Sequence, residues 1–497
     1  MSWVVPTVFI SYFAAVFLVG IVAGKETKGT TESFYLGDRG VSGSLTALTY
    51  LASMVSAGAL IGWTSLSMLW GPFFIWVAVF FTLAIFLTWY LLGPPVMVLA
   101  KRTQSVTVPD FIANRYGGKA PRVLASLVLL IFLVPMLAAN YFAAGLLVEK
   151  LTPFNYTTGV WLFGALVFIY VAFGGFRAVV WTDAVQGVML AIGAVIILAV
   201  AAMTLGLGNL ASALTEKNPE GMVSFPIDME PTSSYFIAFI MLNFCGAFGA
   251  PYFLVRFFSV KSARSLRSGF VLTVTLVVVL EVIIVLIGLY GRALFPHLVD
   301  DPDSTFFVMT DELLPVFFST IVLAALAAAM MSTIDSILLV LASTVENDLM
   351  TKSFNMTLSE KQRVLVARTT TLVMGVASIV YALNPPELLA FLLYPAFGVL
   401  GLVFGLLFLC GTYWPRFNKA GAIAVMVTVP VTFITWHQLG NPFGLYHIQV
   451  AILCTIPVML AATYLTPPPP QQILDTFFPG RAHGGRPHRD DADAALS

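Results

Sequence analysis

The chain has 497 residues, 59% of them hydrophobic and 10% charged, with a mean hydropathy of +0.92. Soluble domains carry about 25% charged residues, so this composition excludes a soluble globular protein and implies an all-α polytopic membrane protein. The formal net charge of zero gives a nucleic-acid partner no support. Cys245, Cys410 and Cys454 lie inside apolar runs with no CxxC or Cys/His spacing, so neither a disulfide framework nor a zinc site is indicated.

The first apolar run begins almost at Met1 without a basic leader and is followed by Lys25, the pattern of a retained helix rather than a cleaved signal peptide. Runs near or above the roughly 20 apolar residues that span a bilayer lie at about 3–24, 45–70, 72–99, 123–148, 158–176, 180–205, 234–258, 269–291, 313–349, 364–383, 388–414, 420–438 and 446–466. Thirteen spans put the two termini on opposite sides. With the N-terminus outside, 22 of the 25 Lys and Arg fall on the inner side and only Lys150, Lys217 and Arg292 on the outer. That asymmetry predicts a multi-pass protein of the plasma (inner) membrane with a cytoplasmic C-terminus. The acidic outer loops at about 206–233 and 293–312 read as solvated surface.

Two spans are interrupted. SMVSAGALIGW in span 2 clusters Ser56, Gly58 and Gly62, and NFCGAFGAP in span 7 clusters Gly246, Gly249 and Pro251. Glycine and proline weaken a helix, and freed backbone is tolerated in a membrane only where protein or a cavity receives it. Either cluster alone reads equally as close packing through small residues. Spans 2–6 and 7–11, however, form two sets of five with an interruption on the first member of each. Paired breaks at corresponding positions point to an inverted-repeat secondary transporter, and an odd repeat length makes the second set run opposite to the first. The domains are then 1–44 (first span and inner loop), 45–205 (first repeat), 206–233 (outer loop), 234–414 (second repeat), 415–466 (two further spans) and 467–497 (a Pro/Gly-rich cytoplasmic tail expected to lack a packed core).

Span 9 carries AAMMSTIDSILL. An ionised Asp at mid-membrane costs about 2.5–3.5 kcal/mol or more, so Asp335 must face protein, water or an ion. Ala329, Ser332, Thr333 and Ser336 fall at i, i+3, i+4 and i+7, one stripe of a helix. Oxygen ligands on one face suit a small hard cation such as Na⁺, and they serve equally well as interhelical hydrogen bonds. Glu281 in span 8 is a second intramembrane acid, read as a protonated, hydrogen-bonded group facing a neighbouring helix rather than as a proton-coupling residue.

AFGGFRAVVWTDAVQG at 172–187, FGAPYFLVRFFS at 248–259, GRALFP at 291–296 and AAMMSTIDSILL resemble the sodium:solute symporters, most closely the pantothenate permease branch, over about residues 30–420. The resemblance implies a LeuT-type core of inverted five-helix repeats. It also implies a sodium site between spans 2 and 9, with the carbonyls of Ala57, Leu60 and Ala329 and the hydroxyls of Ser332 and Thr333 as ligands. Asp183, in WTDAVQ, would join Asp335 and Ser336 in a second sodium position or exit path, or would simply balance Arg177.

The implied activity is sodium-coupled import of a small organic solute, an organic anion such as pantothenate, with monocarboxylate or proline symport as the alternatives. Sodium is the co-transported ion, and solute, sodium and lipid bilayer are the partners. Solute-lining candidates are Trp63, Thr64, Asn140, Tyr141, Asn243, Cys245, Phe248, Tyr394 and Phe397. No Lys or Arg is among them, and every charge placed in the central membrane zone is acidic, so a solute carboxylate would rest on half-helix N-termini and amide donors. An enzyme is not expected, because His297, His437, His447, His483 and His488 fall in loops, membrane ends or the tail. An ion channel or a transporter-like sensor is the rival class.

Overall fold

The computed structural model describes residues 3–24, 30–56, 58–217, 233–384 and 389–479. Ala57, most of the 206–233 loop and the tail beyond 479 lie outside the described residues. The described chain is helical, with one isolated bridge between Val41 and Val260. Helices dominate because a lipid-facing backbone must satisfy its own hydrogen bonds. Their starts follow ordinary capping chemistry. Ser42, Asn155, Ser262, Ser359 and Asn418 each accept from a backbone N–H three residues on.

The main helices are α1 (Val4–Gly24), α2 (Gly43–Met54), α3 (Thr64–Trp70), α4 (Ile75–Leu87), α5 (Gly93–Arg102), α6 (Val108–Tyr116), α7 (Lys119–Leu151), α8 (Tyr156–Leu205), α9 (Ser233–Gly249), α10 (Pro251–Ser259), α11 (Ala263–Leu294), α12 (Val316–Ser343), α13 (Glu360–Ala382), α14 (Leu389–Tyr413), α15 (Lys419–Gln438) and α16 (His447–Tyr464). Among the described residues, eleven helical stretches are long and apolar enough to cross a membrane. By that measure the expected thirteen are not reproduced, and the difference arises at two places. The stretch Gly58–Arg102 counts once, although Gly71 (φ 63°) and Pro72 interrupt it. Helix α8 contains 50 residues, about 75 Å if straight, against a hydrocarbon core of about 30 Å. It is broken at Gly175 (φ 62°, ψ −173°), and the segment before that break, Tyr156–Phe168, is a shorter apolar helix.

Helix α12 occupies the centre. Every residue from Val322 to Ser343 is buried, whereas much of α1 is exposed. It packs on α8, α7, α1 and α2, which brings the polar stripe of span 9 against the first interrupted helix.

Both interruptions expected from sequence are present. Helix α2 ends at Met54, Val55 leaves the helical region (φ −88°, ψ 82°), and a π-helical segment Gly58–Trp63 leads into α3. Helices α9 and α10 are separated by Ala250 (φ −58°, ψ 126°), with Pro251 at the first position of α10, where its missing N–H costs nothing. The second cluster also packs tightly. A side chain at Gly249 would strike the backbone of Gly401 and Gly405 in α14, and one at Gly401 would strike the Cys245 carbonyl. The glycines therefore serve both readings, break and close approach.

Candidate functional site

Where α2 unwinds, its last carbonyls have no intrahelical N–H to bind. The stripe on α12 meets them. Ser332 Oγ donates to Ala52 O at 2.8 Å and to Ala329 O at 3.1 Å, and Thr333 Oγ1 donates to Ser53 O at 3.4 Å and to Ala329 O at 3.1 Å. Two hydroxyls and three carbonyls thus gather at the break, all on buried residues. Such an oxygen-only donor set suits a hard cation.

The structure therefore brings Ala329, Ser332 and Thr333 together as expected, but onto the carbonyls that precede the break. Leu60 lies beyond it, buried in the π-helical segment with its N–H on Ser56 O at 3.2 Å. The hydroxyls of Ser332 and Thr333 do not bond to it. Ala57 falls outside the described residues.

One turn further along α12 is a charged cluster. Asp183 of α8 is fully buried. Its Oδ2 accepts from Thr49 Oγ1 at 2.5 Å and from Ser53 Oγ at 3.5 Å, and it pairs with Arg256 Nη2 at 3.3 Å. Arg256 also donates to Thr49 Oγ1 at 2.5 Å, to Ser336 Oγ at 2.8 Å and to Ser53 Oγ. Ser336 Oγ in turn donates to Asp335 Oδ1 at 3.4 Å. Asp183, Asp335 and Ser336 thus share one buried network, as the sequence reading grouped them.

Arg256 corrects that reading twice. It was counted among the inner-loop charges and is 2% exposed, and its presence means that the embedded charges are not all acidic. Its position near Lys261 and Arg264 disguised it as part of a basic loop. The signal that could have found it was Asp183 itself, since an intramembrane acid calls for a partner. Asp183 Oδ1 and Arg256 Nε have no hydrogen-bond partner, so each ion keeps one free valence inside the protein.

A narrow cavity of about 30 Å³ opens beside the break, lined by Met54, Val55, Ser56, Ala59, Trp63, Phe81, Met136, Tyr252, Glu281, Ile284, Thr333, Leu393, Tyr394 and Phe397. It holds about two waters. Of the nine solute candidates, Trp63, Tyr394 and Phe397 line it. Tyr394 OH donates to Gly58 O at 3.1 Å, tying α14 to the segment after the break. Trp63 stands edge-on to Phe74 and Phe81 at 5.6 and 5.0 Å.

Thr64, Asn140, Tyr141, Asn243, Cys245 and Phe248 do not line this cavity. Asn140 and Asn243 donate to carbonyls of their own helices, Met136 O at 3.0 Å and Phe239 O at 2.9 Å. Tyr141 meets Phe168, Phe248 stacks on Phe244, the Cys245 backbone abuts Gly401, and the Thr64 carbonyl lies against Gly288. Glu281, expected from sequence as a hydrogen-bonded acid and not among the solute candidates, also lines the cavity. It does bond a neighbouring helix, through Thr82.

Interrupted membrane helices, an oxygen-lined break and an aromatic cavity beside it define a LeuT-type membrane transporter. A solved Na⁺-coupled sialic acid symporter, in its substrate-bound outward-open state, superposes with a TM-score of 0.81 over 95% of this chain and 99% of that one, at 19% identity. The model of the sodium:solute symporter family matches residues 34–428, and the chain belongs to that family. The sodium/pantothenate symporter of Escherichia coli (strain K12) is 30% identical, covering 90% of this chain and 98% of the relative. The high-affinity proline transporter PutP of Bacillus subtilis (strain 168) is 27% identical, covering 93% and 98%. These relatives are transporters rather than enzymes.

Proposed function

We propose that the protein is a sodium-coupled symporter that imports a small organic solute bearing a carboxylate, with its N-terminus outside and its C-terminus in the cytoplasm. The observation that carries this reading is the docking of Ser332 and Thr333 on the opened end of α2. Na⁺ at this break bonds groups on both α2 and α12, so it favours the arrangement in which the two helices are apposed. Solute in the adjoining cavity shares the wall formed by Val55, Ser56 and Thr333, and this common wall links the two binding equilibria.

Sodium leaving the break through the Asp183, Asp335 and Ser336 cluster meets two carboxylates, one of them paired with Arg256. Each positive charge moved inward gains about 2.3 kcal/mol per 100 mV of inside-negative potential. Import of a monoanion with more than one Na⁺ therefore stays electrogenic.

The finer reading is an organic anion such as pantothenate, supported by the sequence motifs and by the pantothenate-carrying relative. Proline, supported by the second relative, is the alternative. Radioligand uptake into proteoliposomes with pantothenate, a short monocarboxylate and proline, each in Na⁺ and in choline, tests it. The expected result is uptake of pantothenate only in Na⁺. Uptake of proline alone in Na⁺ reassigns the solute, and equal uptake in choline refutes sodium coupling.

A further inference from the structure

The sodium site and the aromatic wall leave one cavity group unused. Glu281, on α11, is 2% exposed and lines the cavity beside Ser56, Trp63, Thr333 and Tyr394. Its Oε2 accepts a hydrogen bond from Thr82 Oγ1 of α4. Its Oε1 is buried without a partner. Buried acceptors in folded proteins are overwhelmingly paired, and leaving one unpaired is costly. Among the described residues the cavity lining holds no Lys, Arg or His, so no basic side chain there supplies the missing partner, and a group on the entering solute can.

We propose that Glu281, held in place by Thr82, is a solute subsite that accepts a hydrogen bond from an N–H or O–H group of the co-transported solute. The inference rests on the symport reading above and narrows its substrate class. Thr82 occupies one carboxyl oxygen and so fixes the rotamer that leaves the other for the cavity. With Glu281 ionised, a solute that offers only a carboxylate sets acceptor against acceptor here and is disfavoured. A solute that carries a donor as well, whether the amide and hydroxyls of pantothenate or the amine of proline, completes the pair. The site thus discriminates against donor-free monocarboxylates by the general rule that a buried polar group rejects an analogue lacking its partner.

The test uses the full-length protein in proteoliposomes, with pantothenate, proline and butyrate as probes and with Glu281→Ala, Glu281→Gln and Thr82→Val as variants. In the wild type, butyrate competes weakly against the donor-bearing solute that is carried. Glu281→Ala should raise KM for that solute about tenfold or more and abolish its advantage over butyrate, while the sodium concentration for half-maximal uptake, measured at saturating solute, stays within about twofold. Thr82→Val should give a smaller loss in the same direction. Gln keeps an acceptor oxygen without the charge and nearly the same shape, which guards against a folding failure in the Ala variant. It should preserve most affinity for a neutral donor, as in pantothenate, and lose it for a protonated amine, as in proline. An unchanged KM in both Glu281 variants overturns the proposal. So does wild-type uptake driven by a pH gradient without sodium and abolished in Glu281→Gln, because Glu281 is then a proton carrier. Failure of the symport reading has a different signature: no probe draws sodium into wild-type vesicles.

Discussion

Replacing Arg256 with Gln withdraws the cation from a cage of four oxygens, Thr49 Oγ1, Ser53 Oγ, Asp183 Oδ2 and Ser336 Oγ. Both ions of the pair are buried, at 2% and 0% side-chain exposure, so solvent cannot take over the lost contact. Removing one partner of a buried pair costs about 3–5 kcal/mol, because the other is left as an uncompensated charge, whereas removing both is often near neutral. Arg256→Gln should therefore be markedly less stable than the double variant Arg256→Gln, Asp183→Asn.

Thermal inactivation of detergent-solubilised protein measures the ordering, with midpoints compared at one heating rate because such unfolding is commonly irreversible. Sodium supplies a second readout. With the guanidinium gone, a cation beside Asp183 binds the folded state alone, and at a hundred times its dissociation constant it restores about 2.7 kcal/mol. The single variant should thus gain more from NaCl over choline chloride than the wild type does. A single variant as stable as wild type in choline, or strictly additive losses in the double variant, would refute the idea that these two charges hold one another in place.

Combined Ser332→Ala and Thr333→Ala removes two of the five oxygens at the break, and the sodium concentration for half-maximal uptake should rise at least tenfold with expression little changed; unaltered sodium dependence argues against the site. Gly249→Val places a side chain against the Gly401 and Gly405 backbone, where no rotamer change relieves the overlap, so folded yield should fall sharply in a size-exclusion assay, beyond the 1–3 kcal/mol typical of overpacking. Asn243→Ala, which loses a bond within its own helix, should shift solute KM far less than Trp63→Ala, which opens the cavity wall; the reverse order in an uptake assay would return Asn243 to the solute site.

The broken helices were legible because Gly58, Gly249 and Pro251 carry their conformational consequences locally. The Ser332 and Thr333 stripe was legible because helical period places both on one face. What the stripe touches is a tertiary matter: its hydroxyls bond the carbonyls of Ala52 and Ser53. Arg256 was hidden by a linear assumption: a cation near other cations at the end of an apolar run looks like a loop residue, yet the short α10 turns it into the protein. Asn140 and Asn243 each donate to a carbonyl of their own helix at i−4 and each keeps its Oδ1 unpaired, a local arrangement that helical period does not reveal. Glu281 is bonded through one oxygen to Thr82 and keeps the other unpaired in a residue that lines the cavity.

At Gly249 and Gly401 the backbones of α9 and α14 approach each other directly, while Phe397 of α14 seats against Gly246 and Phe248 of α9 against Gly405. Two helices in backbone contact over two turns behave as a single plank. Tyr394 and Phe397 stand on that plank and form part of the cavity wall, while Ala250 marks its free end, where the backbone bends into α10 and Arg256. Close packing of α9 on α14 favours their moving together if the cavity widens on this side, and Ala250 is the non-helical residue at which α9 can bend. The aromatic wall and the arginine then become opposite arms of one lever.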